Sequence, residues 1–88
     1  MQSSPRRPVV EVRVELKPGV LDAEADSVQK SLTLLGIAPI VGVRTAKVFT
    51  LEFGEVDRDR ARELAREAVD RLLANPVIHR VSVAVLPS

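Results

Sequence analysis

The chain has 88 residues, 45% of them apolar, with only two aromatic side chains and no cysteine. A single domain of this length buries roughly 60% of the surface its unfolded chain exposes, so its core is thin, built from Val, Leu, Ala and Ile, and association of subunits would help stabilise it. Thirteen basic against 12 acidic residues, a net charge of +1, exclude a general phosphate-backbone binder, while the missing cysteines remove disulfides, thiolate nucleophiles and cysteine-based metal sites together and fit a cytosolic chain.

Residues 1–8, with two prolines, two serines and an Arg pair, lack the apolar centre of a signal peptide and read as a disordered tail ahead of one domain at 9–88. No run approaches the roughly 20 apolar residues of a bilayer span. From Val10 the chain alternates: Val10, Val12, Val14 and Leu16 take one face and Glu11, Arg13, Glu15 and Lys17 the other, the pattern of a half-buried strand. The turn that follows needs only Pro18 and Gly19 for its backbone and Asp22 to start a helix. Val20 and Leu21 are surplus to that, and either fold back onto the core or wait for a partner.

Ala25, Val28, Leu32 and Leu35 recur at helical spacing, and Gly36 supplies the left-handed residue that ends a helix. In the segment IVGVRTAKVFTLEF, Val41, Val43, Phe49, Leu51 and Phe53 share one parity while Thr45 and Lys47 interrupt it. As one strand this is much longer than the usual five or six residues. It bends or pairs as a hairpin near Thr45 to Lys47, or it projects past its own domain. From Asp57 to Leu73 the chain reads as a helix, with Ala61, Leu64, Ala65, Ala68, Leu72 and Leu73 as its apolar stripe, and Asn75 and Pro76 stop it. Arg62, Glu63, Arg66, Glu67, Asp70 and Arg71 form a solvated opposite face. The last strand aligns Val77, Val81, Val83 and Val85.

The order is β-α-β(β)-α-β, an α+β domain related to the ferredoxin-like arrangement, with two helices on one face of an antiparallel-rich sheet. Val9, Val48, Ile78, Ala84 and Leu86 fall on the other face, and an exposed apolar sheet face predicts an interface between copies.

Chemistry needs a nucleophile, an acid or base, or a metal in mutual reach, and the candidates are poor. His79 is a lone imidazole in a valine-rich strand, expected at the edge of the core or at a subunit contact. The acids lie beside arginines on solvated faces, zinc lacks ligands, and no calcium-loop pattern is present. Gly19 precedes a helix start, which favours anions, but Asp22 and Glu24 would repel a phosphate there. A single-stranded RNA platform needs aromatic side chains, and only Phe49 and Phe53 are available. A binding module remains, with Val20 and Leu21, Arg44 and Lys47, and Asn75 with Pro76 as its candidate contacts and no catalytic or metal-ligating residue.

The stretches VELKPGVLDAEADSVQKSLTLLGI, VGVRTAKVFTLEF and RLLANPVIHRVSV together resemble the PurS family, the small subunit of phosphoribosylformylglycinamidine (FGAM) synthase, from about Val10 to Val85. The resemblance implies a non-catalytic adaptor that joins the synthetase PurL to the glutaminase PurQ in de novo purine biosynthesis. It implies a cytoplasmic homodimer or tetramer, with one long central strand shared between subunits. No cofactor is expected on this chain, and ATP and magnesium belong on the PurL partner. Nucleic acid and membrane are not expected partners. Lys17, Gly19, Val20, Leu21 and Asp22 match the first family motif, Arg44 and Lys47 the second, and Leu73 to Ile78, with Asn75 and Pro76, the third. Ala23, Ala25, Ala46, His79 and Arg80 depart from the family pattern and bear on local contacts with partners. The rival reading is an ACT-like amino-acid-sensing domain, which also uses a P-G-V-L turn before a helix but gives no reason for LLANPVI.

Overall fold

Alternation along the first strand decides where the core forms. In the computed structural model, which describes residues 7–87, β1 (Val9–Leu16) is the centre of a three-stranded sheet of order β2-β1-β3. β2 (Ala46–Glu52) and β3 (His79–Val85) both run antiparallel to it. Val12 faces Phe49 on one side and Val83 on the other, and Val10 faces Leu51 and Val85. Successive strand residues point to opposite faces, so Val10, Val12 and Val14 form one apolar row, and all three are buried. Pro8 is buried too, and its carbonyl accepts the Phe53 N–H at 3.1 Å, extending the β1–β2 frame one residue ahead of β1. Residues 1–6 of the expected tail lie outside the described residues.

α2 (Arg58–Ala68) covers that row with its narrowest side chains, Ala61 and Ala65, both fully buried. Asp57 caps it by accepting the Arg60 N–H at 2.7 Å, as the sequence predicts. Arg58 fastens the same end to the sheet, donating to the Leu86 and Val85 carbonyls at 2.8 and 3.3 Å. The helix does not run regularly to Leu73. Val69–Leu73 widens into a π turn closed by Ala74 N–H to the Val69 carbonyl at 3.2 Å. The extra residue in that turn rotates the expected stripe: Leu73 still packs on the core, but Leu72 is 83% exposed.

α1 (Ala23–Leu34) begins where expected, with Asp22 Oδ1 accepting the Ala25 N–H at 2.9 Å. It ends in a Schellman motif, in which Gly36 takes φ +81° while the Ile37 and Gly36 N–H groups reach the Leu32 and Thr33 carbonyls, each at 3.0 Å. Of the two helices expected on one face of the sheet, α2 packs on β1 and β3, whereas α1 makes no comparably extensive contact with any strand. Residues 37–45 belong to no strand, so neither a hairpin nor a continuous strand from Val41 forms within one copy. α1 and its return form an arm. The radius of gyration is 17.3 Å, against about 12 Å for a compact domain of this length.

The sheet face away from α2 is not the apolar patch anticipated from parity. It carries Glu11, Arg13, Glu15, Thr50, Glu52, Arg80 and Ser82 among Val9, Ala46, Val48 and Ala84, so it is mixed rather than apolar. The exposed large apolar side chains concentrate on the arm instead: Leu21, Val28, Leu34 (87% exposed), Leu35, Ile37 and Val41 (96%). Along its stripe Ala25 is buried and Leu32 half-buried, whereas Val28 and Leu35 stand exposed.

Candidate functional site

The turn between β1 and α1 gathers most of the residues singled out in the sequence. Lys17 accepts the Val20 N–H at its carbonyl at 3.1 Å, and Gly19 sits between them at φ +90°. That left-handed value is strained for any residue with a Cβ. Lys17 is itself anchored, its N–H reaching the Ile78 carbonyl at 2.8 Å. Beyond the turn Val20 is half-buried and Leu21 is 78% exposed. Leu21 does not fold back onto the core.

Asp22 does more than cap α1. Its second oxygen accepts the Thr45 hydroxyl at 2.7 Å and the Thr45 N–H at 3.2 Å, so one carboxylate ties both roots of the arm together. The Ala25 N–H, then the Thr45 hydroxyl, hold this carboxyl below the ordinary aspartate value, against a smaller opposing effect of burial. Lys17, Gly19, Val20, Leu21, Asp22 and Arg44 therefore share one open cleft of about 520 Å³, with Glu15, Thr45 and Arg80 on its walls.

Glu15 is the electrostatic centre of that cleft. Arg80 donates to its Oε1 from Nε at 2.9 Å and from Nη2 at 2.6 Å, and Arg13 Nε lies 3.5 Å from Oε2. The Arg80 hydrogen bonds lead in lowering its pKa, burial opposes them, and the charges of Arg80, Arg13 and Arg44 add to the lowering. Three guanidinium groups thus bear on one carboxylate. Sequence reading missed Glu15, Arg13 and Thr45 as a group, because the Glu15–Arg80 pair spans 65 positions and depends on strand register.

Lys47 stands apart on β2, its Nζ 5.9 Å from the Phe49 ring centroid, a distance at which a cation–π contact is weak and exposed. It lines a second cleft of about 370 Å³ that Asp22, Thr45 and His79 also reach. Asn75 and Pro76 belong to a separate turn after the π turn. There the Asn75 Oδ1 accepts the Val77 N–H at 2.9 Å, and its carbonyl accepts the Ile78 and His79 N–H groups at 3.1 and 2.8 Å. Both residues are exposed, and Val77 beside them is 76% exposed. His79 is half-buried at the start of β3, as its parity suggests. Among the described residues no three His, Asp or Glu side chains converge in a metal-binding group, and no helix is long and apolar enough to cross a membrane. The arrangement presents apolar arm residues above a charged cleft, which suits recognition of another protein surface.

A sequence-family model for PurS, described as phosphoribosylformylglycinamidine (FGAM) synthase, matches residues 9–87. A PurS subunit of phosphoribosylformylglycinamidine synthase from Archaeoglobus fulgidus is 39% identical over 75 residues, covering 85% of this chain and 94% of that protein. The crystal structure of Methanocaldococcus jannaschii PurS, a subunit of formylglycinamide ribonucleotide amidotransferase, superposes with a TM-score of 0.80. It is 33% identical, and the match covers 90% of this chain and 95% of that one. A chain in the structure of PurLQS from Thermotoga maritima shares the fold with a TM-score of 0.81 at 24% identity, over 91% of this chain and 98% of that one.

Proposed function

The chain belongs to the PurS family, and from that premise we propose that it is the non-catalytic adaptor subunit of FGAM synthase. It bridges PurL and PurQ in de novo purine biosynthesis, where formylglycinamide ribonucleotide, glutamine and ATP yield FGAM. The observation that carries this reading is the family match itself, which coincides with nearly the whole described chain, residues 9–87. Glutamine hydrolysis and ATP-dependent amination proceed on different subunits, so ammonia must pass between them without escaping to water. A small subunit that presents apolar and charged contact surface, rather than reactive groups, meets that need. In this reading ATP and magnesium belong to PurL, and the complex is cytoplasmic.

The adaptor is a dimer. The exposed apolar side chains of the arm and residues 37–45, which join no strand, support a second copy pairing with the segment that leads into β2, which completes a long strand shared between two ferredoxin-like halves. Lys17, Gly19, Val20, Leu21, Asp22, Arg44, Lys47, Asn75 and Pro76 are the proposed contact region. Within it, Gly19 and Asp22 set backbone and arm geometry, and Leu21, Arg44, Lys47 and Pro76 touch the partner. The test is co-elution of the chain with its PurL and PurQ on a sizing column, with ADP and glutamine present. A joint peak that disappears when this chain is omitted is the expected result; three separate peaks overturn the adaptor reading.

A further inference from the structure

The turn at residues 74–79 closes on itself through a histidine ring. The Asn75 N–H donates to His79 Nδ1 at 2.8 Å, while the His79 N–H returns to the Asn75 carbonyl at 2.8 Å. The two residues hold each other reciprocally, as a helix cap and its partner do. An imidazole nitrogen that accepts a hydrogen bond carries no proton, so this geometry requires the neutral ring with its hydrogen on Nε2. We propose that His79 makes closure of this turn a pH-sensitive device, shut when the ring is neutral and released when Nδ1 takes a proton.

The chemistry of release is direct. Protonated Nδ1 becomes a donor and confronts the Asn75 N–H, another donor, so the bond is replaced by an unfavourable contact. The charged groups about the ring are of both signs: Arg66 and Asp70 line its cleft from the helix side, Glu15, Lys47, Asp22 and Glu24 line it from the strands and the start of α1, and Arg80 and Arg13 pair with Glu15. The bond from the Asn75 N–H needs Nδ1 without a proton. The sign follows: closure is complete at the alkaline end and is lost as pH falls.

The device acts on Pro76, which the proposed function makes a contact residue, and on exposed Val77 beside it; its first test needs no partner. On the 15N-labelled full chain, the His79 ring and the backbone amides are followed by NMR from about pH 8 to 5. The expected result has three parts: the Nε2–H tautomer at high pH, Asn75 and Val77 amide shifts that track the ring titration, and faster Asn75 exchange. Corrected for its intrinsic pH dependence, that exchange rises roughly three- to tenfold, the loss of one ordinary hydrogen bond. His79→Gln, whose side-chain oxygen accepts the N–H at either pH, should flatten the step. A ring that titrates while the Asn75 amide stays still, a ring carrying its proton on Nδ1 at high pH, or a step that survives in H79Q overturns the proposal. If the device holds and assembly with PurL and PurQ still fails at every pH, the adaptor reading is at fault and the switch is not.

Discussion

Replacing Leu34 by Gln tests whether the arm is built for a second copy. Leu34 lies in the last turn of α1 and is almost wholly in solvent, so nothing within one copy depends on its side chain. Gln has nearly the helix propensity of Leu, and the isolated fold should melt unchanged. If the arm is covered in a dimer, burying one leucine is worth about 1.5–3 kcal/mol. Two-fold symmetry counts it twice, so about 3–6 kcal/mol is lost per dimer, weakening association roughly a hundred- to ten-thousand-fold. Sedimentation velocity across a concentration series reads this directly, with urea unfolding of the dilute chain as control. Wild-type and variant that sediment alike at every concentration would refute the reasoning, as would a variant whose isolated fold collapses.

Three further substitutions or conditions address the rest of the fold. Val12→Ala, at a fully buried position of the central strand, should cost about 1.5–3 kcal/mol in urea unfolding because its neighbours cannot close the space. Asp57→Ala removes the cap on the Arg60 N–H and should cost about 1 kcal/mol, recovered largely by Asn. In acid the folded-state pKa values of Glu15 and Asp22 lie below 4.5 and 3.8, so their contribution is complete above those values and declines as pH falls through and beneath them. E15Q and D22N should flatten that acid limb of a stability profile and leave its neutral plateau nearly level in slope.

How much of this was legible in the sequence depends on how local each determinant is. The alternation of β1 and the Ala61, Ala65 spacing of α2 encode which side faces the core; β1 forms where periodicity puts it, and α2 does so up to Ala68, where the π turn begins. The caps at Asp22 and Asp57 and the glycine stop at Gly36 are equally local. The stripe on α1 is as periodic, but periodicity demands only an apolar partner and is silent on whether that partner belongs to the same chain. For the same reason parity overstates the apolar character of the open sheet face, since it does not weigh Val9 and Val48 against Glu11, Arg13 and Arg80 across three strands. In the site, the turn residues were visible as motifs, whereas the Asp22–Thr45 clamp and the Arg80–Glu15 pair arise from register between distant segments.

That clamp bears on why an adaptor can afford so slender a fold. A projecting arm with free roots would lose conformational freedom on meeting its partner, and that entropy would oppose association. Here the Asp22 carboxylate joins the start of α1 to Thr45, ahead of β2, so the arm's base is set before a partner arrives. Thr45→Val isolates the effect, because it deletes the hydroxyl donor while the Asp22 cap on Ala25 and the shape of the side chain remain. Helix content by circular dichroism should not change. Association should weaken roughly two- to tenfold per protomer, as for one hydrogen bond, and amide exchange at residues 43–45 should quicken. Unaltered association together with a lower melting temperature would instead make the clamp a support of the fold, with no part in presenting the arm.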